Sequence, residues 1–227
     1  MDWACYNVGA AKEYDYGKYF AWGEKSAKKE YTAKTYKMPS KSNIAGDTDY
    51  DVATTWNNKQ NKGWRMPTKD EIQELIDNCD MEWVTVHKIK GMKFTSKING
   101  NSIFLPAAGN KYGTKTYSNG IGGCYWSGDI DSQSLMEEVQ YATGGDGDSE
   151  VSITVTPPME DEHNDDIDLG DGDNKKLTRE ERADAWRLHF NSVDVDDEDK
   201  DPHNEAGRCY YGRTIRPVRE KQKDEEQ

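Results

Sequence analysis

The chain has 227 residues and is only 33% hydrophobic, but its 7 Trp and 13 Tyr allow an aromatic-rich core in one large domain or two small ones. The formal net charge is −13, and residues 144–205 hold 21 acidic against 6 basic side chains, while the rest of the chain holds 22 and 24. Such an acidic surface repels phosphate backbones and disfavours a nucleic-acid partner. No apolar run reaches the length of a membrane span, and no secretory signal pattern follows Met1.

The first sixty residues predict one short strand and a long loop. Aromatic and small residues are interleaved between two glycines over 16–23, a pattern typical of a short strand. Residues 25–60 are rich in Lys, Asn, Ser and Asp and show little periodicity. They predict a surface loop, with one helical turn over 52–56.

A helix is predicted to begin after Thr68. This residue is a good N-cap, and Glu71 lies three positions later, which completes a capping box. Ile72, Leu75 and Ile76 follow at helical spacing and give the helix one apolar face.

Four strands are predicted in the next segment. The first covers residues 81–86, and the next two, 92–97 and 102–106, flank an Asn-Gly-Asn turn that strongly predicts a hairpin. The fourth covers 124–127, after a glycine-rich lead.

The acidic third of the chain alternates between predicted elements and loops. Segments 139–141 and 151–155 predict a hairpin with a glycine-rich turn, and 159–174 predicts a mobile loop. Thr178 is predicted to cap a short helix that reaches Ala185. A strand is predicted over 185–190, in which His189 faces away from the core because Leu188 and Phe190 flank it.

Three segments complete the prediction. Residues 194–205 predict a second acidic loop, 209–218 a last strand, and 219–227 a frayed, charged tail.

The four cysteines are widely spaced, and no C-x-x-C pair suggests a zinc site. Cys124 and Cys209 each precede two aromatic residues, so the two could face each other on neighbouring strands. Two free buried thiols are favoured over a disulfide between them.

Several motifs in a fixed order resemble one family. They lie at residues 3–10 (W-A-C-Y-N-V-G-A), 16–24, 63–75 (beginning G-W-R-M-P-T), 101–109, 125–127 and 212–218. Together they resemble the major paralogous domain of Fibrobacter succinogenes type, which is abundant in Bacteroidetes and has a C-type lectin-like fold. The resemblance implies an α+β fold with paired N- and C-terminal strands and one or two helices. We therefore predict a single domain over 1–218, a long acidic insert at about 134–183 that the family pattern lacks, and a tail over 219–227.

The chain is also similar to the variable proteins of diversity-generating retroelements, in which side chains on the last strands and their loops form changing binding surfaces. This likeness implies a non-catalytic module that binds a protein or glycan ligand on a bacterial surface or a phage particle, and therefore an extracellular, cell-surface or virion location. The implied ligand-binding residues are Asp129, Asp131, Arg187, His189, Asn191, Asp194, Asp196, Asp197, His203, Asn204, Arg208 and Tyr210.

Two other functions remain open. Segment 65–71 also resembles the R-L-P-T-E-x-E segment of formylglycine-generating oxidases, although a capped helix that anchors the domain is the favoured reading. Such an oxidase needs a reactive cysteine pair in an electropositive setting, which an acidic insert makes hard to obtain. The second alternative is a structural module of a surface or virion assembly.

No metal, cofactor or catalytic residue is predicted. The calcium-binding tripeptides of C-type lectins, E-P-N, Q-P-D and W-N-D, do not occur in the sequence. The acidic runs 165–173 and 194–201 could gather oxygen ligands for calcium, but solvated loops are favoured. The four histidines are scattered, and no H-E-x-x-H, G-x-S-x-G or phosphate-binding loop is present.

Overall fold

The computed structural model describes residues 1–55, 63–135, 178–192 and 201–221. All of these belong to one compact unit formed by Met1–Met136 and Leu177–Gln227. The described residues form ten short strands and two α-helices, so the predicted α+β class is confirmed. None of the described helices is long and apolar enough to cross a membrane.

The two ends of the chain pair with each other. Strand β1 (Asp2–Trp3) runs antiparallel to β10 (Val218–Arg219), and the register places Trp3 opposite Val218. The amide of Val8 also donates to the carbonyl of Ile215. The predicted pairing of the N- and C-terminal segments is therefore observed.

The central part of the chain follows the sequence prediction closely. Helix α1 (Lys69–Asp77) begins at Thr68, whose hydroxyl accepts from the Glu71 amide while the Glu71 carboxylate accepts from the Thr68 amide. Strands β2 (Cys79–Val86), β3 (Ile89–Ser96) and β4 (Ser102–Pro106) then form an antiparallel sheet in that order. Strands β5 (Asn110–Tyr112) and β6 (Lys115–Tyr117) form a separate short pair that the sequence did not predict.

The chain forms a second three-stranded sheet. Its strands are β7 (Gly122–Ile130), β8 (Asp184–Asn191) and β9 (His203–Arg208), and all neighbours are antiparallel. Helix α2 (Arg179–Arg182) precedes β8 and is capped by Thr178. It ends before the predicted Ala185 because β8 already begins at Asp184.

The two faces of this sheet differ. Tyr125, Leu188 and Phe190 point into a core cluster with Ile72 of α1. On the opposite face, Trp126 and Ala185 belong to the other core cluster, which includes Trp22, Ile44 and Met66. Because side chains alternate along a strand, Cys124, Arg187 and His189 lie on this second face.

Two predicted strands are wrong. In segment 16–23, Phe20 alone forms an isolated bridge, to Arg213, because Gly17 and Gly23 adopt positive φ angles of 76° and 77° and turn the backbone. Segment 209–218 is not a continuous strand either. Its residues pair one at a time with different partners, such as Gly212 with Lys111 and Thr214 with Tyr125.

The segment predicted as a surface loop contributes to the core. The helical turn is present at Val52–Thr55, but Tyr31, Tyr36 and Ile44 are buried. Buried Asp51 fixes this segment because its carboxylate accepts hydrogen bonds from the amides of Gly46, Ala53 and Met66. The predicted hairpin at 139–155, the loop at 159–174 and most of 194–205 lie outside the described residues, whereas His203, Asn204 and Glu205 belong to β9.

Candidate functional site

Four polar side chains meet on one face of β8 and β9. The antiparallel register places Arg187 opposite Glu205 and His189 opposite His203. Arg187 Nη2 lies 2.6 Å from Glu205 Oε2, and His189 Nδ1 lies 3.1 Å from the same oxygen. The two imidazole rings stack with centroids 5.4 Å apart. We call these four residues the polar face: Arg187 and His189 are buried, and the partly exposed His203 and Glu205 lie beside them.

The thiol of Cys124 lies against the buried part of the polar face. Its Sγ is 3.4 Å from Arg187 Nη1 and 3.9 Å from His189 Nδ1. Burial opposes ionisation of this thiol, but the charges of Arg187 and His189 offset it and lower the pKa of Cys124 to about 7. The electropositive setting that an acidic insert makes hard to obtain is therefore present at this cysteine.

The pKa values of His189 and Glu205 also shift, in the directions that favour the charged form of each group. Burial alone would lower the pKa of His189, but the Cys124 sulfur and the Glu205 carboxylate raise it well above its usual range. Burial alone would raise the pKa of Glu205, but the hydrogen bond from His189 and the charge of Arg187 lower it to about 2. Glu205 is consequently ionised at any physiological pH.

The guanidinium of Arg213 is also buried, and it lies beneath the surface next to the polar face. It stacks 4.2 Å from the ring centroid of Trp126 and 5.3 Å from that of Tyr211. A Cβ at position 207 on β9 would lie 2.6 Å from Arg213 Nη2, so any larger residue there would require this guanidinium to shift. Trp126 is itself fixed, because its indole N–H donates to the Phe20 carbonyl.

Three partly exposed tyrosines cluster beyond Arg213. The ring of Tyr112 on β5 lies 5.1 Å from that of Tyr211 and 6.3 Å from that of Tyr210, and the last two lie 5.2 Å apart. We call these three residues the tyrosine patch. Arg213 links it to the polar face, since the guanidinium contacts Tyr211 and packs against Gly207 of β9.

The structure brings together only part of the predicted ligand-binding set. Arg187, His189 and His203 form the polar face with Glu205, and Tyr210 belongs to the tyrosine patch. Contrary to the prediction, His189 is buried, with 8% of its surface exposed. Its side chain does lie on the face of β8 that is opposite to the face of Leu188 and Phe190. Cys124 of β7 and Glu205 of β9 nevertheless contact it there.

Other members of the predicted set make structural contacts. The Asp129 carboxylate accepts from the Lys69 amide at the start of α1 and from the side chain of Asn43. Asn204 donates to the Lys69 carbonyl and to Gln73. These contacts attach the sheet to α1, on the side away from the polar face.

The remaining members lie apart. Arg208 Nη1 contacts the Asp184 carboxylate at 3.1 Å and donates to the Arg182 carbonyl, which holds α2 in place. Asp131 accepts from the Gln133 amide in the turn after β7. Asn191 ends β8 beside Gly122. The last three members of the predicted set lie outside the described residues: Asp194, Asp196 and Asp197.

Sequence reasoning missed Glu205, Arg213, Cys124, Tyr112 and Tyr211 as parts of this surface. Glu205 lies two positions after His203, so strand alternation would have placed both on one face. The aspartates before Glu205 instead predict an acidic loop at this position.

All four cysteines are free, and Cys124 and Cys209 are buried thiols, as favoured for these two from the sequence. Cys209 packs with Tyr36 in a core cluster, and burial raises the pKa of its thiol. Its surroundings therefore differ from those of Cys124. Within the described ranges, no group of three or more His, Cys, Asp or Glu side chains is arranged to hold a metal ion.

Searches against protein-family models, curated proteins and solved structures found no match for this chain. The family resemblance described above thus rests on the sequence motifs alone.

Proposed function

We propose that this protein is a non-catalytic recognition module with a C-type lectin-like fold, and that it binds a protein or glycan through the polar face and the tyrosine patch. One observation carries the proposal: exposed parts of His203, Glu205 and the tyrosines rest on buried, tightly contacted arginines. A surface that is already ordered loses little conformational entropy when a ligand binds.

The chemistry of this surface suits recognition. Tyrosines provide flat apolar area together with a polar hydroxyl, and they are enriched at binding surfaces. Glu205 adds a charged acceptor, and the imidazole of His203, whose Nδ1 donates to the Asp201 carbonyl at 2.8 Å, adds its Nε2. The two halves are contiguous because Arg213 lies between them.

The location and biological class belong to the same proposal. The motif resemblance supports a diversity-generating retroelement variable protein displayed on a bacterial surface or a phage particle. The excess of acidic residues over 144–205 favours a basic partner, whose association rate should fall as salt rises.

The direct test is a binding screen with paired variants. The full chain is applied to a glycan array and to a panel of basic surface proteins, and any hit is measured again with the double variant His203→Ala/Tyr211→Ala. Loss of these two side chains should weaken binding by about thirtyfold, which corresponds to about 2 kcal/mol of binding free energy. The matched control is Lys97→Ala/Ile98→Ala at the exposed β3–β4 turn, which should leave affinity unchanged. Equal losses in both variants, or no loss in the first, would contradict the proposal.

One observation favours a second candidate, the formylglycine-generating type of oxidase. Cys124 has the electropositive setting that such chemistry needs. The required partner cysteine is not provided by Cys209, which packs in a core cluster with Tyr36. Copper-dependent oxidation of a thiol peptide that disappears in Cys124→Ser would establish the oxidase.

The structural-module alternative has its own test. A stable oligomer in solution that protects Tyr210 and Tyr211 from chemical labelling would favour it over ligand recognition.

A further inference from the structure

Four side chains form a closed ring beneath the surface of β8 and β9, in which acidic and basic groups alternate. Starting from Cys124 Sγ, the next group is His189 Nδ1 at 3.9 Å, followed by Glu205 Oε2 at 3.1 Å from that nitrogen. Arg187 closes the ring, with Nη2 2.6 Å from Glu205 Oε2 and Nη1 3.4 Å from the sulfur. Each group that can carry negative charge therefore has a cationic group on both sides.

The contacts in the ring favour transfer of the Cys124 proton to His189. If the proton leaves the sulfur, the thiolate faces Arg187, and the imidazolium that forms faces the Glu205 carboxylate. Both products of the transfer gain a neighbour of opposite charge at short range, and burial strengthens these attractions.

The other cysteines lack this arrangement. Burial raises the pKa of both Cys79 and Cys209, and Cys209 also experiences the charge of Asp184. Cys5 is exposed. The chain thus contains its own reference thiols, two buried and one exposed.

The sulfur is covered, but the ring around it includes one partly exposed side chain. Cys124 is 4% exposed, but Glu205, which contacts both cations that touch the sulfur, has a side chain that is 36% exposed. Arg187 and His189 therefore lie between the sulfur and the partly exposed Glu205. Strand β9 lies at the edge of its sheet in the described part of the chain, and edge elements open locally more readily than central ones.

We propose that Cys124 is held as a thiolate in the folded protein and is a modification site for small peroxides. The thiolate attacks one oxygen of hydrogen peroxide, an S–O bond forms, and the O–O bond breaks. Hydroxide leaves with the electron pair and takes the proton of the His189 imidazolium to become water. The sulfur is oxidised by two electrons to a sulfenic acid, and the peroxide is reduced.

The first experiment measures ionisation without requiring access to the sulfur. Thiolate ultraviolet absorbance is titrated over about pH 5 to 10 in the native protein and in Cys124→Ser, and the difference gives the Cys124 curve. We expect a midpoint at least about one pH unit below the ordinary thiol value near 8.5. A midpoint at 8.5 or above would overturn the proposal.

The second experiment measures modification. The folded protein is treated with hydrogen peroxide and dimedone near neutral pH, and each cysteine is followed by mass spectrometry. Cys124 should be labelled roughly tenfold faster than Cys79 and Cys209, because its thiolate fraction is larger. This preference should disappear in denaturant. Labelling of Cys124 no faster than that of the two buried references would refute the modification site.

Substitutions in the ring distinguish the effect of its charges on the Cys124 thiol from the effect of burial. Arg187→Gln removes the cation nearest the sulfur and should raise the titration midpoint and slow the labelling. His189→Asn should act in the same direction, which gives an independent test if Arg187→Gln does not fold. The matched control is Arg208→Gln, which removes another arginine of the same sheet that pairs with Asp184 rather than Cys124. An unchanged midpoint in both ring variants would contradict the proposal.

Discussion

The buried arginines of this protein occupy two contrasting environments. Arg216 donates only to neutral oxygens: Nε to the Asn7 side chain at 2.8 Å, Nη1 to the Ala4 carbonyl at 2.9 Å and Nη2 to the Phe104 carbonyl at 2.8 Å. Arg187 instead contacts a carboxylate and a thiol that can change charge.

The difference shows how one residue type performs two tasks. The partners of Arg216 do not titrate, so its contacts hold the N-terminal segment, the C-terminal segment and β4 together at any ordinary pH. The partners of Arg187 lie under the partly exposed polar face, and their charges depend on pH and on chemical modification. We therefore expect loss of Arg216 to affect stability, and changes around Arg187 to affect the surface and the thiol.

The largest effect is expected for Arg216→Ala. It leaves three buried oxygen acceptors without a donor and opens a cavity, and hydrogen bonds to charged groups are worth about 1.5–3 kcal/mol each. The free energy of unfolding should fall by at least about 4 kcal/mol in urea denaturation. Arg216→Lys keeps the charge but not the fork of donors, and should recover only part of this loss. A loss under about 1 kcal/mol would remove the distinction between the two environments.

A smaller, pH-dependent loss is expected for Glu205→Gln. Breaking a fully buried ion pair costs about 3–5 kcal/mol, but Glu205 is partly exposed, so we expect about 1–2 kcal/mol at neutral pH. The pKa of Glu205 is lowered in the folded state, so its contribution is complete above the unfolded pKa near 4.3 and disappears as the pH falls toward 2. Unfolding curves of both proteins should therefore converge between about pH 4 and pH 2. A pH-independent difference would show that packing, and not charge, stabilises this contact.

Thr68→Ala provides a reference that belongs to neither environment. Loss of the N-cap of α1 should cost about 1 kcal/mol. Denaturation should show this loss, while the thiol titration and ligand affinity stay as in the native protein. A shifted thiol titration would indicate that the ring responds to any loss of stability.

The smallest change in stability is expected for His203→Ala. Its side chain is partly exposed and stacks on His189, so unfolding should change by less than about 0.5 kcal/mol. Affinity for a ligand identified in the binding screen should nevertheless fall. Calorimetric unfolding together with titration of that ligand measures both quantities on one sample, and a large loss of stability would assign His203 to the core.

The features that the sequence predicted well are local or marked by motifs. The capping box at Thr68 and Glu71 depends on residues three positions apart, and the Asn-Gly-Asn turn fixes the β3–β4 hairpin. Pairing of the chain ends followed from the motifs at both termini.

The features that the sequence did not predict depend on long-range register. Arg187 meets Glu205 only because β8 and β9 pair in one particular register, and a shift of one residue would send these side chains to opposite faces. Cys124 joins them from β7, more than sixty positions away in the chain. The predicted strand at 209–218 failed for a related reason, since its backbone partners come from several separate segments.

Because Asp2 and Arg219 lie side by side on paired strands, a short linker that joins these two positions would span little distance. A circularly permuted protein with new ends at Ile98, whose side chain is 81% exposed in the β3–β4 turn, should therefore keep all the long-range pairings. The same proximity would let the domain be inserted into an exposed loop of a carrier protein without separating the carrier's own flanking segments.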